Sequence, residues 1–269
     1  MDFYASIQPA IQALIAGVFT WFCTMVGGAA TVLFVREVND RFLAIMQGFA
    51  AGVMIAASFW SLLEPALDYA QAGPIPSWLP VAIGFLVGGL FLRLLDVLVP
   101  HIHLAEDHND AGVNRKKFSR TTMLFLAVTI HNIPEGLALG VAFAAASLGG
   151  QATLTGALAL TIGIGLQNIP EGSALSLPLF AEGRSKGRAF NLGHGSAIVE
   201  PISAVIGAVA VLIVTSILPY ALSFAAGAMI FVLVEELIPE AQSSNHTDIA
   251  TMALMFGFIL MMILDVALG

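Results

Sequence analysis

Eight long apolar runs, separated by short polar breaks, leave this chain few ways to fold. The runs lie at about 7–34, 42–70, 79–99, 121–148, 152–180, 189–215, 220–242 and 249–268. Each is long enough to cross the hydrocarbon core, which takes ~20 apolar residues in a helix. Between them lie Arg36 to Arg41, Gly73-Pro74-Ile75-Pro76, His101 to Arg120, Gly149-Gly150, Glu182 to Arg188, Leu218-Pro219 and Ser243 to Asp248. The runs are continuous and rich in Leu, Ala and Gly, as packed membrane helices are. A closed β-barrel would show short alternating strands instead. Only 10% of the residues are charged, against about 25% in an ordinary soluble domain. A soluble enzyme and a disordered regulator are thereby excluded. The expected fold is an all-α integral membrane protein, with one transmembrane domain spanning residues 1–269 and eight spans.

The basic residues set an orientation. Arg36 and Arg41 lie between spans one and two. Arg115, Lys116, Lys117 and Arg120 lie between three and four, and Arg184, Lys186 and Arg188 between five and six. The breaks after spans two, four and six hold none. The positive-inside rule then puts both termini outside. No Lys or Arg precedes the first span, so no cleavable signal is expected. A net charge of −8 without a long basic block makes nucleic acid an unsuitable partner. The single cysteine, Cys23, can form neither an internal disulfide nor a thiolate cage.

Two internal repeats carry more information than hydropathy. Phe49-Ala50-Ala51-Gly52-Val53-Met54-Ile55 recurs as Phe224-Ala225-Ala226-Gly227-Ala228-Met229-Ile230, at a constant offset of 175. Spans two and seven run in opposite directions, so spans 1–3 and 6–8 read as an inverted repeat around the pair 4–5. The second repeat is sharper: His131-Asn132-Ile133-Pro134-Glu135-Gly136 matches Gln167-Asn168-Ile169-Pro170-Glu171-Gly172 at five of six positions. Ionisable groups at mid-membrane cost about 2.5–3.5 kcal/mol each on insertion scales and mark function by default.

The hexads are readable as chemistry. Pro134 and Pro170 each remove a helix N–H and free the carbonyl one turn back, at Ile130 and Leu166. His131 and Glu135 are four apart on one face, as are Gln167 and Glu171, and Asn132 and Asn168 can lean the same way. The two asparagine amides can instead bond the freed carbonyls. Imidazole, carboxylate and amide converging between two helices suit a divalent metal of the Zn, Mn or Fe kind. Span six adds Asn191, His194 and Glu200-Pro201. Met54 on span two can offer a thioether or simply pack, and His194 fits a relay or a core histidine equally.

The paired hexads, with the Glu-Pro of span six, resemble the ZIP (Zrt-, Irt-like) divalent-metal transporters, and in particular their GufA-type bacterial branch. The resemblance covers essentially the whole chain. It implies metal uptake toward the cytoplasm across a bacterial inner membrane, through a site between spans four and five, in a protein that is commonly a homodimer. By motif match it carries His131, Asn132, Glu135, Gln167, Glu171 and Glu200 over as ligands, with Asn168 and Met54 beside them. Zinc is the expected cargo, with Cd, Fe and Mn as alternatives, and no other cofactor is implied. Some relatives have a carboxylate at Asn168 or a histidine at Gln167.

Glu135, Glu171 and Glu200 supply −3 when ionised. One divalent ion leaves −1 and two leave +1, so one tight site and a weaker second one are expected. The segment after span three, with His101, His103, Asp107 and His108, has the composition of a transient metal-binding tract. Glu235, Glu236 and Glu240 near the inner end of span seven, with His246 after it, can pass an ion on to the cytosol. At the outer side Glu64, Asp68 and Asp265 make an electronegative mouth. Two rival readings are a passive channel and an intramembrane metalloenzyme. The second would call for His-Glu-x-x-His on an unbroken helix, which the sequence lacks.

Overall fold

The computed structural model describes residues 6–34, 40–98, 120–149, 152–181, 183–243 and 246–268. They form eight helical rods: α1 (Pro9–Phe34), α2 (Asp40–Gln71), α3 (Trp78–Leu98), α4 (Arg120–Leu148), α5 (Leu154–Ala181), α6 (Lys186–Ile213), α7 (Thr215–Ala241) and α8 (Thr247–Leu268). There is no strand among the described residues. Seven of the rods are both long and apolar enough to cross a membrane, α5 being the exception. At 28 residues α5 is long enough. What removes it is the polar load of Gln167, Asn168 and Glu171, with Ser173 and Ser176 one turn on.

The boundaries follow local chemistry. Pro9 opens α1, where a missing N–H costs nothing. Gly149 and Gly183 take positive φ, 77° and 85°, just past the ends of α4 and α5, the left-handed conformation that stops a helix. Two expected boundaries need correction. Span six begins at Lys186 rather than 189, because the Ser185 side chain accepts from the Arg188 N–H and caps the first turn. Span seven opens with a 3-10 turn at Thr215–Ile217 and its α-helix starts at Leu218 rather than 220, because Pro219 sits in the first turn of that helix and does not break it.

Three rods are not uniform. In α2 a π-turn at Ser58–Leu63 interrupts the α-helix, and in α7 another does so at Leu233–Leu237. Both start at matching positions, since 58 plus the sequence offset of 175 is 233. Each wider turn precedes a Glu/Pro pair, Glu64-Pro65 or Pro239-Glu240. In α6 a 3-10 turn at Ser196–Ile198 lies just before Glu200. Such irregular turns inside helices often mark functional sites.

The rods pack most closely as α2 with α8, α3 with α7, α1 with α5 and α4 with α6. Two four-helix groups result, α1/α4/α5/α6 and α2/α3/α7/α8, which meet chiefly where α2 crosses α5 and α7 crosses α4. Glycine makes the close pairs possible. A side chain at Gly52 would run into the backbone of Leu254 and Phe258 on α8, and one at Gly227 into the backbone of Phe85 on α3. Without a hydrophobic force between helices in lipid, such close approach supplies the dispersion energy that holds them. The peripheral rods α3 and α8 bury only 28% and 22% of their apolar spanning stretches, against 61% for α2 and α4. Their outward residues, such as Leu86, Leu90, Phe256 and Val266, are the surface for lipid.

The Gly52 contact gives a test of the packing. Gly52→Ala forces backbone against backbone and should cost about 1–3 kcal/mol, as overpacking does. That corresponds to a fall of roughly 2–12 °C in the unfolding midpoint in detergent. Gly187→Ala, on α6 with nothing within 4 Å of the added methyl, should leave the midpoint unchanged. Equal midpoints for the two variants would contradict the α2–α8 register.

Candidate metal centre

The hexads fall near the middle of α4 and α5, roughly nine to eleven residues or ~14–16 Å from the nearer helix ends. Both prolines lie inside continuous helix. Close approach is again set by glycine. A side chain at Gly136 would strike Glu200 and Ser203 of α6, and one at Gly172 would strike Thr24 of α1. The four helices α1, α4, α5 and α6 therefore converge on one point.

At that point Asn132, Glu135, Gln167, Asn168 and Glu200 are all fully buried, and His131 nearly so. Glu171 is partly exposed. The amide nitrogens are all engaged. Gln167 Nε2 donates to Glu135 Oε1 and, at 3.5 Å, to Glu171 Oε1. Asn168 Nδ2 donates to both carboxylate oxygens of Glu200 at 2.9 Å and to the Thr20 carbonyl at 3.2 Å. Asn132 Nδ2 donates to the Val128 carbonyl at 2.9 Å.

The oxygens are the reverse. Asn132 Oδ1, Glu135 Oε2, Gln167 Oε1, Asn168 Oδ1 and Glu171 Oε2 are buried and have no hydrogen-bond partner. One unpaired buried acceptor costs about 1–3 kcal/mol, more if it is charged. All five lie on two adjacent helices, α4 and α5. Oxygen donors of this kind, with one imidazole near by, suit a divalent cation. Among the described residues no three His, Cys, Asp or Glu side chains already close into a cage. The amides stand between the carboxylates.

The remaining candidates separate. Met54 is buried in the main apolar cluster with Leu160, Ile164 and Met261. The Glu236 carboxylate meets His131, Oε1 to Nε2, at 2.7 Å. Glu235 and Glu240 are exposed. His246 lies beyond α7, just before α8. His101, His103, Asp107 and His108 lie outside the described residues. His194 packs between the rings of Phe190 and Trp21, at 4.6 and 6.1 Å, and its carbonyl accepts from Trp21 Nε1. Its Nδ1 is buried and has no hydrogen-bond partner.

At the opposite end of the helix bundle from Glu235, Glu64, Asp68 and Asp265 come together at a cavity of 420 Å³. Ser61 Oγ donates to Asp265 Oδ1 at 2.5 Å. Tyr69, from the end of α2, reaches the Gly149 and Ala145 carbonyls at 2.6 and 3.0 Å and ties α2 to the end of α4.

Two contributors were not legible in the sequence. The Thr20 carbonyl orients Asn168 from α1, whose small and apolar residues carry no motif. The direct contact of Glu236 with a hexad residue is the other. Its spacing from Val232 was the available signal.

Known proteins resemble the chain over most of its length. The family model described as ZIP zinc transporter matches residues 101–265, which include both hexads and Glu200. Zinc transporter ZIP11 of Homo sapiens is 39% identical over 334 aligned residues, covering 96% of this chain and 97% of that protein. Zinc transporter GufA of Myxococcus xanthus is 38% identical, covering 96% and 98%. Zinc transporter ZIPB of Bordetella bronchiseptica is 39% identical, covering 90% and 77%. With paired hexads meeting inside a multi-pass helical membrane protein and relatives that match it nearly end to end, the chain belongs to the ZIP zinc transporter family.

Proposed function

We propose that this chain takes up divalent transition metal, zinc above all, and moves it toward the cytoplasm through the site between α4 and α5. Cadmium, iron and manganese are competing cargo. The observation that carries this reading is the set of five unpartnered buried oxygens on the two hexads. The ligands are His131, Asn132, Glu135, Gln167, Asn168, Glu171 and Glu200, with Met54 adjoining from α2. The ion is cargo, and no resident cofactor is part of the reading. The relatives are named as transporters, which favours transport over enzymatic chemistry.

Eight spans in a single domain, both termini outside, a bacterial inner membrane and a homodimer complete the proposal. What supports eight spans is that α5 matches its neighbours in length and packs along α1. What supports an inverted repeat is that its exchange of 1 with 6, 2 with 7, 3 with 8 and 4 with 5 maps the close pairs onto one another. The pair α2–α8 becomes α7–α3, and α1–α5 becomes α6–α4. The π-turns and the packing glycines Gly52 and Gly227 also correspond at the offset of 175. Every candidate ligand but Met54 lies in the group α1/α4/α5/α6, so a shift of that group along the other is a physical way to present the site to each side in turn.

Uptake into metal-free proteoliposomes tests the function. Zinc should accumulate, and zinc trapped inside should exchange with labelled zinc outside in counterflow. Absence of uptake for Zn, Cd, Mn and Fe alike would overturn the proposal. Uptake without counterflow would favour the channel. The histidine segment is predicted to act downstream. Replacing His101, His103 and His108 together by Ala should lower the uptake rate by less than about tenfold, since ligands outside the main site tune metal affinity modestly. Complete loss would move the primary site away from the hexads.

A further inference from the structure

Ala228, Val232 and Glu236 recur every four residues along α7 and so share one face. The first two pack with Ile130 of α4 and Leu92 of α3. The third continues that face to the residue next to Ile130, which is His131. There the Glu236 carboxylate meets Nε2 of the imidazole at 2.7 Å, with the two side chains only 30% and 11% exposed. Glu235, one residue earlier in the same π-turn, is exposed. The two adjacent glutamates therefore do different work.

We propose that Glu236 is a positioning residue of the metal site: it holds His131 through Nε2–H, fixes the ring, and leaves Nδ1 as the nitrogen that meets the cation. The proposal rests on His131 being a ligand, as argued above, and removes Glu236 from the exit route. An imidazole has two nitrogens, and a carboxylate that accepts from one sets the tautomer and raises the basicity of the other. A ring so held has also lost rotamer freedom before the ion arrives, which lowers the cost of binding. Because α4 and α7 belong to different helix groups, the contact exists only while the groups hold this arrangement. A shift between them frees the ring, so the affinity of the site changes with the position of the groups.

Zinc titration of the purified full chain, by calorimetry, tests this. Glu236→Ala should weaken zinc binding about 10–100-fold. Glu236→Gln keeps an acceptor oxygen for Nε2–H and should stay within about threefold of wild type. His131→Ala with Glu236→Ala should bind no more weakly than His131→Ala alone, because the two residues act as one unit. In protein loaded with cadmium-113 and nitrogen-15 histidine, the coupling that disappears in His131→Ala should belong to an Nδ1. Wild-type affinity in Glu236→Ala beside weakened binding in His131→Ala would overturn the positioning role and leave the metal site standing. So would cadmium coupling to Nε2. Wild-type affinity in His131→Ala would remove His131 from the site, and this inference with it.

Discussion

Glu135→Ala loses zinc uptake by more than about 100-fold, beyond what loss of an outer partner of a metal ligand costs, while the protein still inserts and folds. The carboxylate is fully buried, one oxygen taking the Gln167 amide and the other unpartnered. Removing it subtracts a metal ligand. It also removes a charge whose burial costs about 2.5–3.5 kcal/mol on insertion scales, so insertion should improve. The one new defect is the Gln167 amide, and Glu171 remains within reach of it at 3.5 Å. Glu135→Gln separates charge from shape, because it keeps the volume and loses the negative charge. Both variants should fail in proteoliposome uptake at equal reconstituted amounts, and Glu171→Ala should fail with them. Uptake at the wild-type rate by any of the three would show that the ion does not pass between the hexads.

How much of this was legible in the sequence differs by level. Seven spans were, because a bilayer demands long apolar helices and little else produces them. The hexad carboxylates were, because a buried charge in a span needs a reason. The turn geometry was not. Ser58–Leu63 and Leu233–Leu237 share almost no residue types, yet both form π-turns. Their register comes from packing against neighbouring helices, which no local composition records. The same turn separates Glu235 from Glu236, neighbours that a sequence treats alike and that the fold sends to solvent and to His131. Amide orientation was also hidden. Asn168 presents its oxygen because its nitrogen is taken by Glu200 and by the Thr20 carbonyl, and both partners come from other helices.

That orientation makes Asn168→Asp the sharpest test of how many ions the site holds. In the wild type the Asn168 amide donates to both oxygens of Glu200 at 2.9 Å, and so offsets part of that carboxylate's charge with a neutral group. An aspartate there replaces the donor by an acceptor and puts two carboxylates at hydrogen-bond distance. Like charges that close repel strongly in a low dielectric. Metal-free Asn168→Asp should therefore unfold at a lower temperature than the metal-free wild type. A cation reverses the sign, since a divalent ion shared by the introduced carboxylate and Glu200 turns repulsion into two attractions. The cluster then carries −4 with Glu135, Glu171 and Glu200, which matches two divalent ions. Carboxylate is also a stronger ligand for zinc than an amide oxygen. The second zinc should bind about 10–100-fold more tightly than in the wild type, as expected for a gain of roughly 1.4–2.8 kcal/mol. Zinc should then raise the unfolding temperature of the variant more than that of the wild type. Stoichiometry by equilibrium dialysis, read beside the two melting curves, decides the matter. Equal second-ion affinity in both proteins would mean that Asn168 Oδ1 does not face the ion, and that the neutral amide is there to steady Glu200 alone.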